Sequence, residues 1–217
     1  MATRTLKGYR FVTDDLKSRY GNVRWQIGEW NKCEGRLWLC TNGFHASENP
    51  LDSLSYAYGT RWFECEARGG ILRDRDKFCA SEMRLVREIP RRVLQRFALD
   101  CAWRTVRIFE AEYPADKRLR KALKTVRAYL KSPNSENLAK VLIAERDCGH
   151  DHPALLAAVH AIRAATYLDM AEIAANTLDA VHWARIYIGA KGRTSPAESK
   201  WQRRHLQHLI RKERNGN

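Results

Sequence analysis

The chain has 217 residues, 44% of them hydrophobic and 29% charged, with a formal net charge of +14 at pH 7. That apolar fraction excludes wholesale disorder, and the length allows one large domain or two small ones. No run approaches the roughly 20 consecutive apolar residues of a membrane-spanning helix, and the opening MATRTLKGYR lacks the apolar stretch of a secretory signal, so a cytoplasmic protein with no membrane partner is expected.

The charge is segregated: residues 1–83 carry +2, residues 84–131 carry +9, residues 132–190 carry −3 and residues 191–217 carry +6. Two basic segments imply an acidic partner, either nucleic acid or an acidic protein face. The six cysteines (33, 40, 65, 79, 101 and 148) are scattered in a chain that needs no staples, and reduced thiols are expected. Cys40, Cys65 and Cys101 lie among apolar neighbours and read as small buried hydrophobes.

In chain order, Thr3 to Glu88 shows short alternating runs: Tyr9 and Phe11; Val23, Trp25 and Ile27; Leu37 and Leu39; then Trp62 to Ala67. A period of two predicts strands, with reversals at Tyr20-Gly21-Asn22, Glu34-Gly35, Asn42-Gly43 and Gly69-Gly70. One helix interrupts over about 50–58, with Asn49 as its cap, Pro50 at its first position, and Leu51, Leu54 and Tyr58 on one face.

Beyond Pro90 the period becomes helical. Leu94, Phe97, Ala98, Cys101, Thr105, Ile108 and Phe109 share a face of a helix ended by Tyr113-Pro114. From Asp116 to Leu130, Leu119, Leu123, Val126 and Leu130 form an apolar stripe opposite Lys117, Arg120, Lys121, Lys124, Arg127 and Lys131. Glu136 to Cys148 reads as a third helix, and the alanine-rich stretch from Pro153 to Ala190 as two helices or one bent helix. Gly189, Gly192 and Pro196 make a loop before a helix from Ala197 to Lys212 that docks through Trp201, Leu206, Leu209 and Ile210. The fold class is therefore α+β: an antiparallel β-rich domain with one short helix over 1–90, an all-helical bundle over 91–190, and a basic loop, docking helix and frayed tail over 191–217.

The stretch Phe97-Ala98-Leu99-Asp100-Cys101-Ala102, with Ile108-Phe109-Glu110, Tyr113-Pro114, Asp116-Lys117-Arg118, Lys121-Ala122 and the later Trp201-Gln202 and Leu206, resembles a helical family of immunity proteins. The resemblance implies an all-helical bundle that acts by binding, with no catalytic residues to carry over. Around Cys40-Thr41-Asn42-Gly43-Phe44-His45 and Asn49-Pro50-Leu51-Asp52 the chain is similar to an uncharacterised domain common in phages and prophages. That resemblance implies a mobile-element protein working in the cytoplasm of a bacterial host.

Three kinds of chemistry have candidate residues in this sequence. Arg10 in Gly8-Tyr9-Arg10, Ser47 in Gly43-Phe44-His45-Ala46-Ser47, and Glu64 and Glu66 in Glu64-Cys65-Glu66 follow the order of a reduced ADP-ribosyltransferase, with NAD as its cofactor. One glutamate would polarise a ribose hydroxyl while the arginine holds a phosphate or ribose; the simpler reading makes both glutamates solvent-facing positions of an alternating strand. Cys33, Cys40 and His45, and Cys148-x-His150-x-His152, concentrate metal-ligand types but reproduce no paired zinc spacing, so no metal is expected. The third is a binding surface of Lys117, Arg120, Lys121, Lys124, Arg127, Lys131, Arg203, Arg204 and Arg211, with Trp103 able to stack on a base.

The expectation that best joins these readings is a non-catalytic accessory protein of phage or mobile-element origin, without a cofactor. It would engage nucleic acid or a nucleoprotein complex through its basic helical surface and counter a defence system. An ADP-ribosyltransferase-like enzyme and an immunity-type protein inhibitor are the alternatives.

Overall fold

The computed structural model describes residues 5–20, 23–189 and 196–216. The chain divides into two compact units, Met1–Pro90 and Arg91–Asn217. The expected turn at Gly21-Asn22 and the loop at Gly192 lie outside the described residues.

In the first unit, β1 (Leu6–Val12), β2 (Asn31–Lys32), β3 (Phe44–Ala46), β4 (Arg61–Arg73) and β5 (Phe78–Ile89) form one antiparallel sheet in the order β1-β4-β5-β2, with β3 also pairing with β5. Just past β3, Ser47 exchanges two backbone hydrogen bonds with Tyr9 (2.8 and 3.0 Å), which ties the free edge of β1 to the end of β3. The array curls on itself and occupies a strand edge that would otherwise be open. Its inner face holds Val12, Phe63, Cys65, Ala67, Phe78, Ala80, Met83 and Leu85, over which Trp25 and Phe44 pack edge to face at 5.2 Å.

Several local expectations are corrected. Val23 to Ile27 and Leu37 to Leu39 are not strands; they make single bridges only, and their alternation instead sends Trp25 into the core from a loop. Gly69-Gly70 is no reversal: β4 runs through it with a register shift between Arg68 and Ile71, and the hairpin turns at Asp74–Lys77. Gly69 has φ +77°, a conformation glycine supplies to a bulge as readily as to a turn. The twelve-residue β5, which pairs with β2, β3 and β4, was not anticipated at all.

The interrupting helix α1 (Pro50–Ser53) is shorter than expected and continues as a 3-10 turn over Leu54–Tyr56. Its cap is as expected: the Leu51 N–H donates to Asn49 Oδ1 at 2.9 Å, and Pro50 occupies the first position.

The second unit comprises α2 (Arg92–Trp103), α3 (Val106–Glu112), α4 (Arg118–Lys131), α5 (Ser135–Cys148), α6 (Pro153–Thr166), α7 (Met170–Ile188) and α8 (Pro196–Arg214). The single helix expected to end at Tyr113 is two, because Arg104 and Thr105 donate their N–H groups three residues back and the buried Thr105 hydroxyl donates to Ala102 O at 2.7 Å. The alanine-rich stretch forms two helices, α6 and α7, broken at Tyr167 to Asp169; Asp169 caps α7 through the N–H groups of Ala171 and Glu172. The alanines are nearly all buried, and α6 and α7 pack together and against α2, which lies at the centre of the unit.

Candidate functional site

Beyond the Tyr9–Ser47 bridge β1 and β3 diverge, and the wedge between them opens into a cavity of about 500 Å³ within the first unit. Tyr9 to Thr13 line one wall and Gly43 to Ser47 the other. Gly43 sits at φ +117°, and a Cβ there would lie 2.3 Å from Cys79 Sγ, so only glycine fits this wall.

Arg10 enters this region from the inner face of the sheet, between Gly8 and Val12. Its guanidinium lies 4.4 Å from the Trp25 ring and donates to Ser18 Oγ at 3.3 Å and Met83 Sδ at 3.5 Å, while its Nε is shielded and unpartnered. Burial pulls its pKa down to about 10. Ser47 is 1% exposed, and its Oγ also has no partner.

Glu64 and Glu66 do not join them. In register, Glu64 stands opposite Tyr9 and Glu66 opposite Lys7, on the face of β1 away from Arg10, and they are engaged by Arg87 and Arg84. Neither glutamate lines the cavity. Of the four residues read together from the sequence, Arg10 and Ser47 border one cavity from opposite faces of β1, and the carboxylates do not line it.

His45 Nε2 accepts the Cys40 N–H at 2.9 Å, so this lone pair holds the turn and is not free for a metal. Cys40, expected to be a buried hydrophobe, is exposed at φ +64° with Lys77 Nζ 3.2 Å from its sulfur. Burial and the charges of Arg10 and Lys77 lower the His45 pKa from its ordinary 6.5. Below about pH 6.5 the unfolded chain takes up a proton that the folded chain resists, so stability from this group falls as pH drops from that value towards the lower folded pKa. Denaturation of wild type and His45→Gln between pH 7.5 and 5 should show a flatter profile for the variant; identical profiles would contradict the assignment.

On α4 the apolar stripe is buried as expected through Leu119, Ala122, Leu123 and Val126, with Leu130 only half-buried. The opposite face is less uniformly available than the sequence suggests. Arg120 is ion-paired with Glu110, and Arg118 with Asp116 and Asp151. Arg127 stacks over the Trp103 ring at 4.2 Å, and Lys117 Nζ donates to Pro114 O. Lys121, Lys124 and Lys131 are exposed, and among the described residues no carboxylate lies within ion-pair distance of them. They repeat at helical spacing along about 15 Å of α4.

The tail helix α8 buries Leu206 and Ile210, with Trp201 and Leu209 half-buried. On the same face it also buries Glu198 and Gln202, which sequence reading did not flag. Glu198 receives a two-pronged hydrogen bond from Arg104 (3.1 and 2.9 Å), and Gln202 Nε2 donates to Val181 O at 3.1 Å. The only available signal was their spacing of four with Leu206 and Ile210. Arg203, Arg204 and Arg211 are exposed on the other side of the helix.

His152 caps α6 by accepting the Ala154 N–H at 3.2 Å, Cys148 is buried with its thiol pKa pushed up to about 12, and His150 is exposed. No group of metal-ligating side chains occurs among the described residues.

The sequence model of a domain of unknown function, DUF7666, matches residues 6–96, and that described as "Imm-5 like putative immunity protein" matches residues 84–209, more than half of the chain. No curated protein and no solved structure matches it. By the extent of the second match, carried on helices α2 to α8, the chain belongs to the Imm-5 like immunity protein family.

Proposed function

We propose that the helical unit acts as an immunity-type protein by stoichiometric binding to an acidic macromolecular surface, with α4 as the docking element. The observation that supports this is the row of Lys121, Lys124 and Lys131, exposed and without carboxylate partners beside arginines that are already engaged. A protein partner is favoured because the adjoining α5 leaves Leu142 and Ile143 about half exposed, and protein interfaces combine an apolar centre with a charged rim. The setting we propose is an accessory protein of a phage or other mobile element, whose partner is a toxin or a component of a defence system.

Affinity capture from host lysate, with and without nuclease, tests this reading. Capture of a protein at fixed stoichiometry should survive nuclease and weaken by about tenfold or more in the triple variant Lys121→Glu, Lys124→Glu, Lys131→Glu. Undiminished capture by that variant would remove α4 from the interface.

A second reading, binding to nucleic acid or a nucleoprotein complex, is favoured by the Arg127–Trp103 pair, since an exposed guanidinium held on an aromatic face suits a phosphate beside a stacked base. It predicts retardation of duplex or single-stranded nucleic acid whose logarithmic affinity falls linearly with the logarithm of salt concentration. Arg203, Arg204 and Arg211 would add to that slope; absence of retardation at low salt would discard it.

A further inference from the structure

We propose that the cavity between β1 and β3 is a binding site for a small organic oxyanion, a phosphate- or carboxylate-bearing molecule of mononucleotide size, with Arg10 as its anchor.

The first reason is the charge of the lining. Arg10, Arg19, Lys32 and Lys77 border the cavity, and no aspartate or glutamate does. The second is a contrast within the same sheet. Arg61, Arg68, Arg84 and Arg87 each meet a cross-strand carboxylate, Glu88, Glu82, Glu66 and Glu64 respectively, and Arg73 meets Glu48. Arg10 alone among the sheet's arginines turns into the apolar interior, where its neighbours are a thioether, a hydroxyl and an indole face. A guanidinium has five donors and no way to discard its charge cheaply; buried groups of this kind ordinarily carry a matching anion.

The third reason is unspent hydrogen-bonding capacity. Arg10 Nε is shielded and unpartnered and Arg10 lines the cavity, whereas the unpartnered Ser47 Oγ, opposite Tyr9 in the ladder, belongs to the other face. Buried polar atoms in folded proteins are overwhelmingly satisfied, so an orphaned guanidinium nitrogen bordering a cavity is what a site looks like without its ligand. Burial, the main cause of the lowered Arg10 pKa, is not offset by any facing carboxylate. The volume of about 500 Å³ falls in the range of small-molecule sites, and Phe44 and Tyr56 provide apolar wall for the body of the ligand. This site belongs to the first unit and is independent of the docking role of α4.

The test uses the full chain with inorganic phosphate, AMP and citrate as probes, at constant ionic strength, read by calorimetric titration and by melting temperature. Wild type should bind and be stabilised by at least one of them; AMP above phosphate would assign the aromatic wall to a base, and citrate alone would assign the site to carboxylates. Arg10→Met should lower the affinity about 10- to 100-fold, with the melting temperature of the unliganded variant measured beside it because the bonds to Ser18 Oγ and Met83 Sδ and the stacking on Trp25 go with the guanidinium. If no probe binds wild type, or Arg10→Met binds as wild type does, the proposal is overturned. A merely structural Arg10 would show itself as a melting temperature lowered by Arg10→Met together with no wild-type response to any probe.

Discussion

Replacing Trp62 with alanine should lower the unfolding free energy by about 3–5 kcal/mol, the largest single effect expected in the first unit. Trp62 is fully buried, stacks on Phe11 at a centroid distance of 5.7 Å with rings 12° from parallel, and lies 6.2 Å from Tyr9. Its indole N–H donates to Ser53 Oγ at 3.0 Å, and that hydroxyl donates to Pro50 O at 2.7 Å, so one side chain fastens α1 to the sheet through a fully satisfied polar chain. Trp62→Phe keeps most of the apolar contact and gives up the hydrogen bond, and should cost about 1–2 kcal/mol. Urea denaturation of the two variants separates the contributions; a loss below about 1 kcal/mol for alanine would mean that α1 is not anchored in this way.

In the helical unit, Arg104→Ala should cost about 3 kcal/mol. Glu198 has a side chain only 1% exposed, and Arg104 is its two-pronged partner as well as the cation lying 4.0 Å above the Trp201 ring. Removing the arginine takes its cation from a buried carboxylate, which typically costs about 3–5 kcal/mol; the lower end applies because Arg104 itself is 39% exposed and partly screened. Glu198→Gln, which leaves a neutral group able to accept from the same donor, should lose less. Amide exchange should show faster opening of α8 in Arg104→Ala, with Gln202 and its bond to Val181 O released together with Glu198. Exchange unchanged along α8 would show that Leu206 and Ile210 suffice to dock it.

The contrast between the two units shows where patterning carries information. Helical periodicity located α4, α5 and α8 to within a few residues, because a one-sided apolar stripe has a single way to be buried. Strand alternation was less informative. The alternation of Tyr9 and Phe11 marks β1 as a strand, and both of its faces are covered, that of Tyr9 and Phe11 by Trp62 and that of Arg10 by the curled interior. A period of two names two faces without saying whether either meets water. β5 went unread because its charged residues Glu82, Arg84, Arg87 and Glu88 suggest an exposed segment, whereas Arg68, Glu66, Glu64 and Arg61 on β4 neutralise them across the ladder.

The candidate residues divide in the same way. Lys121, Lys124 and Lys131 were visible as cations on the outward side of an amphipathic helix, which local spacing fixes. That Arg120 is occupied by Glu110, and Arg118 by Asp116 and Asp151, depends on α3 and on the loop before α6 reaching α4. Arg10 stood in the sequence as a member of a set with Ser47, Glu64 and Glu66, but the face on which a strand residue points follows from register, and register sets Arg10 apart from Glu64 and Ser47, the residues opposite Tyr9.

By itself, then, the amino-acid order determined the α+β division, the helical bundle with its alanine-rich packing and the basic character of α4, because each depends on periodicity or composition over one continuous segment. Only the tertiary structure decided which cations keep their charge available, and that an arginine lacking any carboxylate partner borders a cavity at the splayed end of two strands. The physical reason is that charge compensation and cavity formation depend on which distant segments meet, and β1, β3 and β5 come together through hydrogen bonds that no local pattern encodes.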